Sequence, residues 1–188
     1  MIDKKRNTKE QILKTTGRLF SERGYFGVSM QDIANELNIT KAALYYHYKN
    51  KDELAEVLLR NALTELKKEL KHAAGKSVLP TEVIFNITKT FLDFKLKHPE
   101  ISLLATLVSG RSKKVPILTV VTDLRQELIR FVRALMGGLN TTKKFTYRTI
   151  FAIASSIISV TLSPFYNTRG RDTKQKAREL SDLFVKQI

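Results

Sequence analysis

The segment of residues 40–51, "TKAALYYHYKNK", concentrates donor-bearing side chains: three tyrosines, one histidine and three lysines. Hydroxyl, imidazole and ammonium groups of this kind donate hydrogen bonds to phosphate oxygens and to the edges of bases. Ala42 and Ala43 stand near its start, where small side chains allow a helix to approach base edges or thymine methyl groups. The residue types therefore point to a nucleic-acid contact.

Helical spacing divides this segment into two faces. Leu44 and Tyr48 are one turn apart and are predicted to be buried, so Lys41, Tyr45 and, beside it, His47 point outward. Thr40 can cap the start of the helix. The alternative is an ordinary amphipathic surface helix with partly buried tyrosines, which is common for an isolated Tyr or His. The elements that precede the segment favour the nucleic-acid contact.

Two predicted helices come before it. Thr8 and Gln11 have capping-box spacing in front of an apolar stripe, and Gly24 is predicted to end this first helix. Ser29 and Asp32 form a second capping pair ahead of Met30, Ile33 and Ala34. Only a few residues then separate the second helix from the third. Residues 29–48 are therefore predicted to form a helix-turn-helix, in which the second helix of the pair enters the major groove.

The rest of the chain also has helical patterns. Asn50 and Glu53 are predicted to open a long fourth helix that ends at Gly75, and Pro80 a fifth that ends before Pro99. Further helices are expected over residues 100–109, 116–135, 145–162 and 172–188. The third of these segments, residues 145–162, is apolar almost all round, which predicts burial on two sides. No strand pattern is present, so the fold class is all-α.

The ordered motifs "TKEQIL…LFSERGYFGVSMQDIANELNITKAALYYHYKNKDEL", over residues 8–54, resemble the DNA-binding domain of the TetR/AcrR (tetracycline-repressor-like) family of transcriptional regulators. The resemblance implies an N-terminal domain over residues 6–66, and it places Tyr46 where the family packs an aromatic ring inward. Asn38 stands in the turn where glycine is common, and asparagine tolerates the same left-handed backbone. The positions implied to contact DNA are Ser29, Gln31, Thr40, Lys41, Ala43, Tyr45, His47 and Lys51, to which the chemistry above adds Ala42.

The resemblance implies that residues 67–188 form an effector-binding and dimerisation domain. It suggests a ligand-responsive repressor that binds a palindromic operator in double-stranded DNA as a homodimer. The dimer is expected to form through the last two helices, about 145–163 and 172–187, whereas a monomeric bundle is the alternative. A small-molecule effector of unknown identity is expected in an apolar cavity, although scattered arginines leave an anionic ligand open. The predicted lining is Phe91, Phe94, Leu104, Val108, Phe131 and Phe151.

Charge alone would place DNA elsewhere on the chain. Of the net +15, residues 1–66 contribute +2 and residues 67–188 contribute +13. A surplus of this size suits polyanions or an acidic membrane surface. The C-terminal lysines are scattered in pairs, such as those at 67–68, 113–114 and 143–144, and not gathered on one amphipathic helix. A solvated surface that adds long-range attraction to DNA is therefore expected, with no membrane partner.

Other classes are disfavoured. The chain has no cysteine, and His47, His72 and His98 lack metal-ligand spacing, so no metal site and no cofactor are expected. No phosphate-binding glycine loop or nucleophile elbow is present, which argues against an enzyme. The basic N-terminus is not followed by the apolar stretch of a signal peptide, and the longest apolar stretch is too short to span a bilayer. We expect a cytoplasmic protein.

Overall fold

The computed structural model describes residues 2–77, 79–103, 107, 116–137, 147–163 and 172–186, and within them every regular element is helical. This confirms the all-α prediction. A 3₁₀ helix at Pro99–Ser102 follows the fifth α-helix. The α-helices of the described residues are α1 (Ile2–Arg23), α2 (Met30–Glu36), α3 (Lys41–His47), α4 (Lys51–Ala74), α5 (Pro80–Lys97), α6 (Pro116–Gly137), α7 (Tyr147–Leu162) and α8 (Thr173–Lys186).

Local capping signals set most of the helix ends in the N-terminal bundle. The Asp32 backbone N–H donates to Ser29 Oγ (3.2 Å), and the Ser29 backbone N–H donates back to Asp32 Oδ2 (2.8 Å), so the predicted capping box is confirmed. Asn50 Oδ1 accepts from the Glu53 backbone N–H at 2.8 Å and starts α4 as predicted. The prediction from Thr8 is wrong, because α1 already begins at Ile2 and Thr8 lies inside it.

Two left-handed residues turn the chain between the first three helices. Gly24 has φ +70° and ends α1, and Asn38 has φ 53° between α2 and α3. Such a conformation costs most residues roughly 1–2 kcal/mol, whereas glycine and asparagine tolerate it. The predicted turn at Asn38 is confirmed, and it sets the direction in which α3 leaves α2.

Helix α4 connects the N-terminal bundle to the C-terminal body. Its buried residues recur every three or four positions along its 24 residues, from Leu54 to Ala73. It packs against α1 at one end and against α5, α6 and the 3₁₀ helix along its length. The predicted boundary between residues 66 and 67 falls inside this unbroken helix, so the two parts share one rigid element.

The C-terminal body packs around α5. Helix α5 contacts α4, α7 and α8, and α6 packs between α4 and α7. Pro80 occupies the first turn of α5, and His98 caps its end, as predicted. Of the helix predicted over residues 100–109, residues 100–102 belong to the 3₁₀ helix, and Leu103 is α-helical and accepts from the Leu107 backbone N–H at 3.1 Å. Residues 104–106 and 108–110 lie outside the described part of the chain.

The last two helices each keep one face open in the single chain. Helix α7 buries Ile150, Ile153 and Ile157, but Phe151 remains 44% exposed, so it is covered on one side and not on two. Helix α8 buries Leu180 and Phe184 and leaves Leu183 57% exposed. No described helix is both long enough and apolar enough to cross a membrane.

Candidate nucleic-acid interface

Helix α3 has one buried face and one exposed face. Leu44 is fully buried and Tyr48 is 5% exposed, so the inward stripe is the predicted one. Thr40 caps the helix, because its Oγ1 accepts from the Ala43 backbone N–H at 3.1 Å. The helix is therefore held to the bundle by its buried face and is capped at its N-terminus, the end that is predicted to approach DNA.

The exposed start of α3 is slim and cationic. Ala42 and Ala43 are exposed, and Tyr45 is 44% exposed. The Lys41 ammonium lies 5.9 Å from the centroid of the Tyr45 ring, so the positive charge and the phenol share one surface. This surface, formed by residues 40–43 and Tyr45, is called the α3 tip below. Its groups can donate to phosphates and reach base edges.

Ser29 and Gln31 lie at the start of α2, and both are exposed. The Ser29 hydroxyl donates to Asp32 Oδ2 at 2.6 Å, and hydrogen bonds from Ser29 lower the pKa of the Asp32 carboxyl. Gln31 Nε2 donates to Asn35 Oδ1 at 2.7 Å. These side chains therefore already stabilise α2, and a DNA contact would have to use their remaining hydrogen-bonding capacity.

Tyr46 does not pack inward as the resemblance implied. Its side chain is 70% exposed, and its ring meets the half-buried His47 ring edge-on at 5.2 Å. Position 46 lies two residues from both Leu44 and Tyr48, which is about 200° round the helix from each of them. The inward face belongs to those two side chains, so Tyr46 must face solvent.

Lys51 makes its hydrogen bonds inside the bundle. Its Nζ donates to the backbone oxygens of Tyr25 (2.9 Å) and Val28 (2.8 Å) and lies 4.2 Å from the centroid of the Tyr25 ring. Burial lowers the pKa of Lys51, while the carboxylates of Asp52 and Asp32 oppose that shift. Two of the three ammonium hydrogens are thus used to hold the loop between α1 and α2. A phosphate contact by Lys51 stays a prediction, with at most one hydrogen available for it.

A second contact ties the same loop to α4. The buried Tyr25 hydroxyl donates to Asp52 Oδ1, and burial, followed by that bond and the Asp52 charge, raises the pKa of Tyr25. Sequence reasoning did not single out Tyr25 or Asp52. The two residues are 27 positions apart, so no local spacing signal could have paired them.

The residues predicted to line an effector cavity do not share one environment. Phe91 and Phe94 are fully buried in the core and Phe131 is half-buried, but Phe151 is exposed on α7 and cannot line an interior cavity of this chain. Leu104 and Val108 lie outside the described residues. The physical reason is that α7 is covered on one side only, and Phe151 lies on the open side.

Among the described residues no group of three His, Asp or Glu side chains is placed to hold a metal ion. His98 ends α5, and its ring stacks on the Phe94 ring with the centroids 4.1 Å apart. Its Nδ1 lies 3.3 Å from Glu100 Oε1. It belongs to the junction between α5 and the 3₁₀ helix.

Known proteins resemble the N-terminal bundle in sequence. Residues 12–58 match the family model of bacterial regulatory proteins, tetR family. Over 53 residues the chain is 45% identical to IcaR of Staphylococcus epidermidis, the biofilm operon icaADBC HTH-type negative transcriptional regulator; this covers 28% of the chain and 29% of that protein. The chain spans from 29% to 45% of the length of the first curated relatives that it matches.

Solved structures resemble the whole fold. The transcriptional regulator FadR from Bacillus subtilis, in complex with stearoyl-CoA, has a TM-score of 0.75 at 13% identity, covering 95% of this chain and 98% of that one. AibR, in complex with isovaleryl coenzyme A and operator DNA, has a TM-score of 0.69 at 19% identity, covering 96% and 97%. At these identities the likeness concerns the fold alone.

The internal role of Lys51 can be tested by replacing it with methionine, which keeps the aliphatic stem and removes the donors. Lys51→Met leaves two backbone oxygens without their donor, so we expect the free energy of unfolding to fall by about 1–3 kcal/mol. Lys49→Met removes an exposed lysine two positions away and should stay within about 0.5 kcal/mol of wild type. Urea unfolding of both variants makes the comparison, and equal stabilities would contradict this role for Lys51.

Proposed function

We propose that this chain, whose N-terminal domain belongs to the TetR family, is a sequence-specific DNA-binding transcriptional regulator. It acts as a ligand-responsive repressor, binding a palindromic operator as a homodimer and leaving it when a small molecule binds. The observation that carries the proposal is the α3 tip: Lys41, Ala42, Ala43 and Tyr45 exposed together on a helix capped by Thr40 and anchored through Leu44 and Tyr48.

The dimensions of α3 suit the major groove. A helix with its side chains is about 10–12 Å in diameter, and the major groove is about 12 Å wide. Lys41 and Tyr45 would read or position the duplex, while the two alanines keep the approach close. The +13 charge of residues 67–188 would add sequence-independent attraction and faster association.

Exposed apolar side chains on the last two helices support the homodimer. Phe151 on α7 is 44% exposed and Leu183 on α8 is 57% exposed, although the other faces of both helices are buried in the body. Burial of large apolar side chains against a second copy would stabilise association. A two-fold dimer carries two α3 tips, which matches the symmetry of a palindromic site.

Ligand response is supported by the fold and by the shared helix α4. The structural neighbours FadR and AibR were solved in complex with stearoyl-CoA and isovaleryl coenzyme A, respectively. Because α4 extends from the N-terminal bundle into the C-terminal body, a rearrangement of the body would move α3. A coupling free energy of about 1–3 kcal/mol would change operator affinity roughly 5- to 150-fold.

The contact by the α3 tip is tested by Lys41→Ala and Tyr45→Phe. Each should weaken binding to a duplex selected from genomic DNA by about 1–3 kcal/mol and relax the base preference at one position, because each removes one donor from the tip. Fluorescence anisotropy gives the dissociation constants. Lys71→Ala removes the same charge from the far end of α4 and is the control. If both tip variants bind as tightly as this control, the tip does not contact DNA.

The dimer is tested by the double variant Phe151→Glu, Leu183→Glu. Carboxylates placed in an apolar interface would have to be desolvated, so we expect a monomer in sedimentation equilibrium and a large loss of operator affinity. Leu96→Glu changes another exposed leucine, on α5, and should leave the mass and affinity unchanged. A double variant that sediments like wild type, or a wild-type footprint on one asymmetric half-site, would contradict the dimer.

A further inference from the structure

A cleft of about 440 Å³ separates the end of α1 from the 3₁₀ helix, between the N-terminal bundle and the C-terminal body. This volume falls within the range of about 300–1,000 Å³ that small-molecule sites occupy. One wall consists of the end of α1 and the loop over residues 24–27. The other consists of Lys95 near the end of α5, Pro99 and Ser102 of the 3₁₀ helix, Leu103 and Leu107. The lining residues are Phe20, Ser21, Arg23, Gly24, Tyr25, Phe26, Gly27, Lys95, Pro99, Ser102, Leu103 and Leu107.

The cleft has an apolar floor with contributions from both walls. Phe20 and Tyr25 on one side, and Leu103 and Leu107 on the other, are each at most 5% exposed. Phe26 stands at the rim with 61% of its side chain exposed, and its ring lies edge-on to Tyr25 at 5.2 Å. A flat apolar group entering the cleft would cover Phe26 and remove apolar surface from water.

The charged side chains that line the cleft in the described part of the chain are both cationic: Arg23 and Lys95. Lys95 is half-buried, and its Nζ donates to the Ser163 backbone oxygen at 2.6 Å. Burial, and then the charge of Lys176, lower the pKa of Lys95. An anion beside Lys95 would oppose this decrease, since a nearby opposite charge favours the charged form of the ammonium.

A second cavity shares Ser21 and Pro99 with the cleft but has different electrostatics. It is lined by Lys14, Arg18 and Lys97 and also by Glu22 and Glu100. Its two carboxylates lie close to neighbouring side chains: Arg18 Nη1 is 3.0 Å from Glu22 Oε1, and His98 Nδ1 is 3.3 Å from Glu100 Oε1. The lining of the first cleft carries two cationic side chains and no carboxylate, beside the exposed ring of Phe26.

We propose that this cleft binds a small organic anion, a carboxylate on a flat apolar body, and that the anion lowers the affinity of the protein for its operator. The apolar body would rest on Phe26 and the floor, and the carboxylate would face Lys95 and Arg23. The regulatory part rests on the proposed function, whereas the binding part can be measured without DNA.

The position of the cleft explains how its occupancy would reach α3. Residues 24–27 lead directly into Val28, whose backbone oxygen accepts from Lys51, and into Ser29, which caps α2. A ligand bridging this loop and the 3₁₀ helix would fix the N-terminal bundle in one orientation relative to the body. The two α3 tips of a dimer would then keep one spacing, and that spacing would no longer match the operator.

The probe is 2-naphthoate, with the neutral 2-naphthylmethanol as its matched partner, measured by isothermal titration calorimetry on the full chain. We expect one naphthoate per chain and at least about tenfold weaker binding of the alcohol, as loss of a charge-assisted hydrogen bond implies. Lys95→Met should weaken naphthoate binding about tenfold, and Phe26→Ala should weaken both compounds. Lys97→Met removes a lysine that lines the second cavity and should change neither dissociation constant.

The same titrations separate the two levels of the proposal. The cleft is not the site if the wild-type chain does not bind naphthoate, or if neither Lys95→Met nor Phe26→Ala changes the naphthoate affinity. An equal loss of naphthoate affinity in Lys97→Met would also overturn the cleft as the site. Saturating naphthoate should lower the affinity for the selected duplex at least about fivefold in wild type and not in Lys95→Met. An unchanged affinity would overturn the regulatory part. If the proposed function itself is wrong, the result differs: the protein without any ligand selects no duplex.

Discussion

A seven-residue helix has no appreciable stability of its own in water, because nucleation costs more than so few backbone hydrogen bonds return. Helix α3 therefore depends on the burial of Leu44 and Tyr48 against the bundle and on the Thr40 cap. Complete burial of Leu44 is worth about 1.5–3 kcal/mol, more than any single exposed contact on the helix. The outward direction of the α3 tip follows from that inward anchor, and so does every functional proposal made for it.

The anchor is in turn supported by the connection between the bundle and α4. Lys51 and Asp52, in the first turn of α4, bind the backbone of Tyr25 and Val28 and the hydroxyl of Tyr25, which lie between α1 and α2. The same helix continues into the body and packs there against α5 and α6. The loop is thus held by α4 on one side and borders the cleft on the other. Through α4 and this loop, the C-terminal body is connected to α2 by a continuous series of contacts.

Features that depend on neighbouring residues could be predicted from the sequence, and features that depend on distant ones could not. The caps at Ser29, Thr40 and Asn50 involve residues three positions apart, and the left-handed turn at Asn38 is a property of one residue. The bonds of Lys51 to the loop span more than 20 positions, so no local spacing in the sequence indicates them. The family resemblance places Tyr46 inward, whereas helical periodicity puts it opposite Leu44 and Tyr48, which is where the structure has it. The exposure of Phe151 does not follow from the sequence, because a helix that is apolar all round does not reveal which face its own chain covers.

DNA reading by the α3 tip is tested most directly by sequencing the duplexes that the wild-type chain retains from a random double-stranded library, in parallel with the Lys41→Ala, Tyr45→Phe double variant. Wild type should enrich an inverted repeat whose half-sites are separated by about one helical turn, 10–10.5 base pairs from centre to centre, or a multiple of it. The double variant should lose preference at defined positions within each half-site while its residual, charge-driven binding persists. No enriched motif for wild type, or the same motif for both proteins, would contradict the claim that the α3 tip reads DNA.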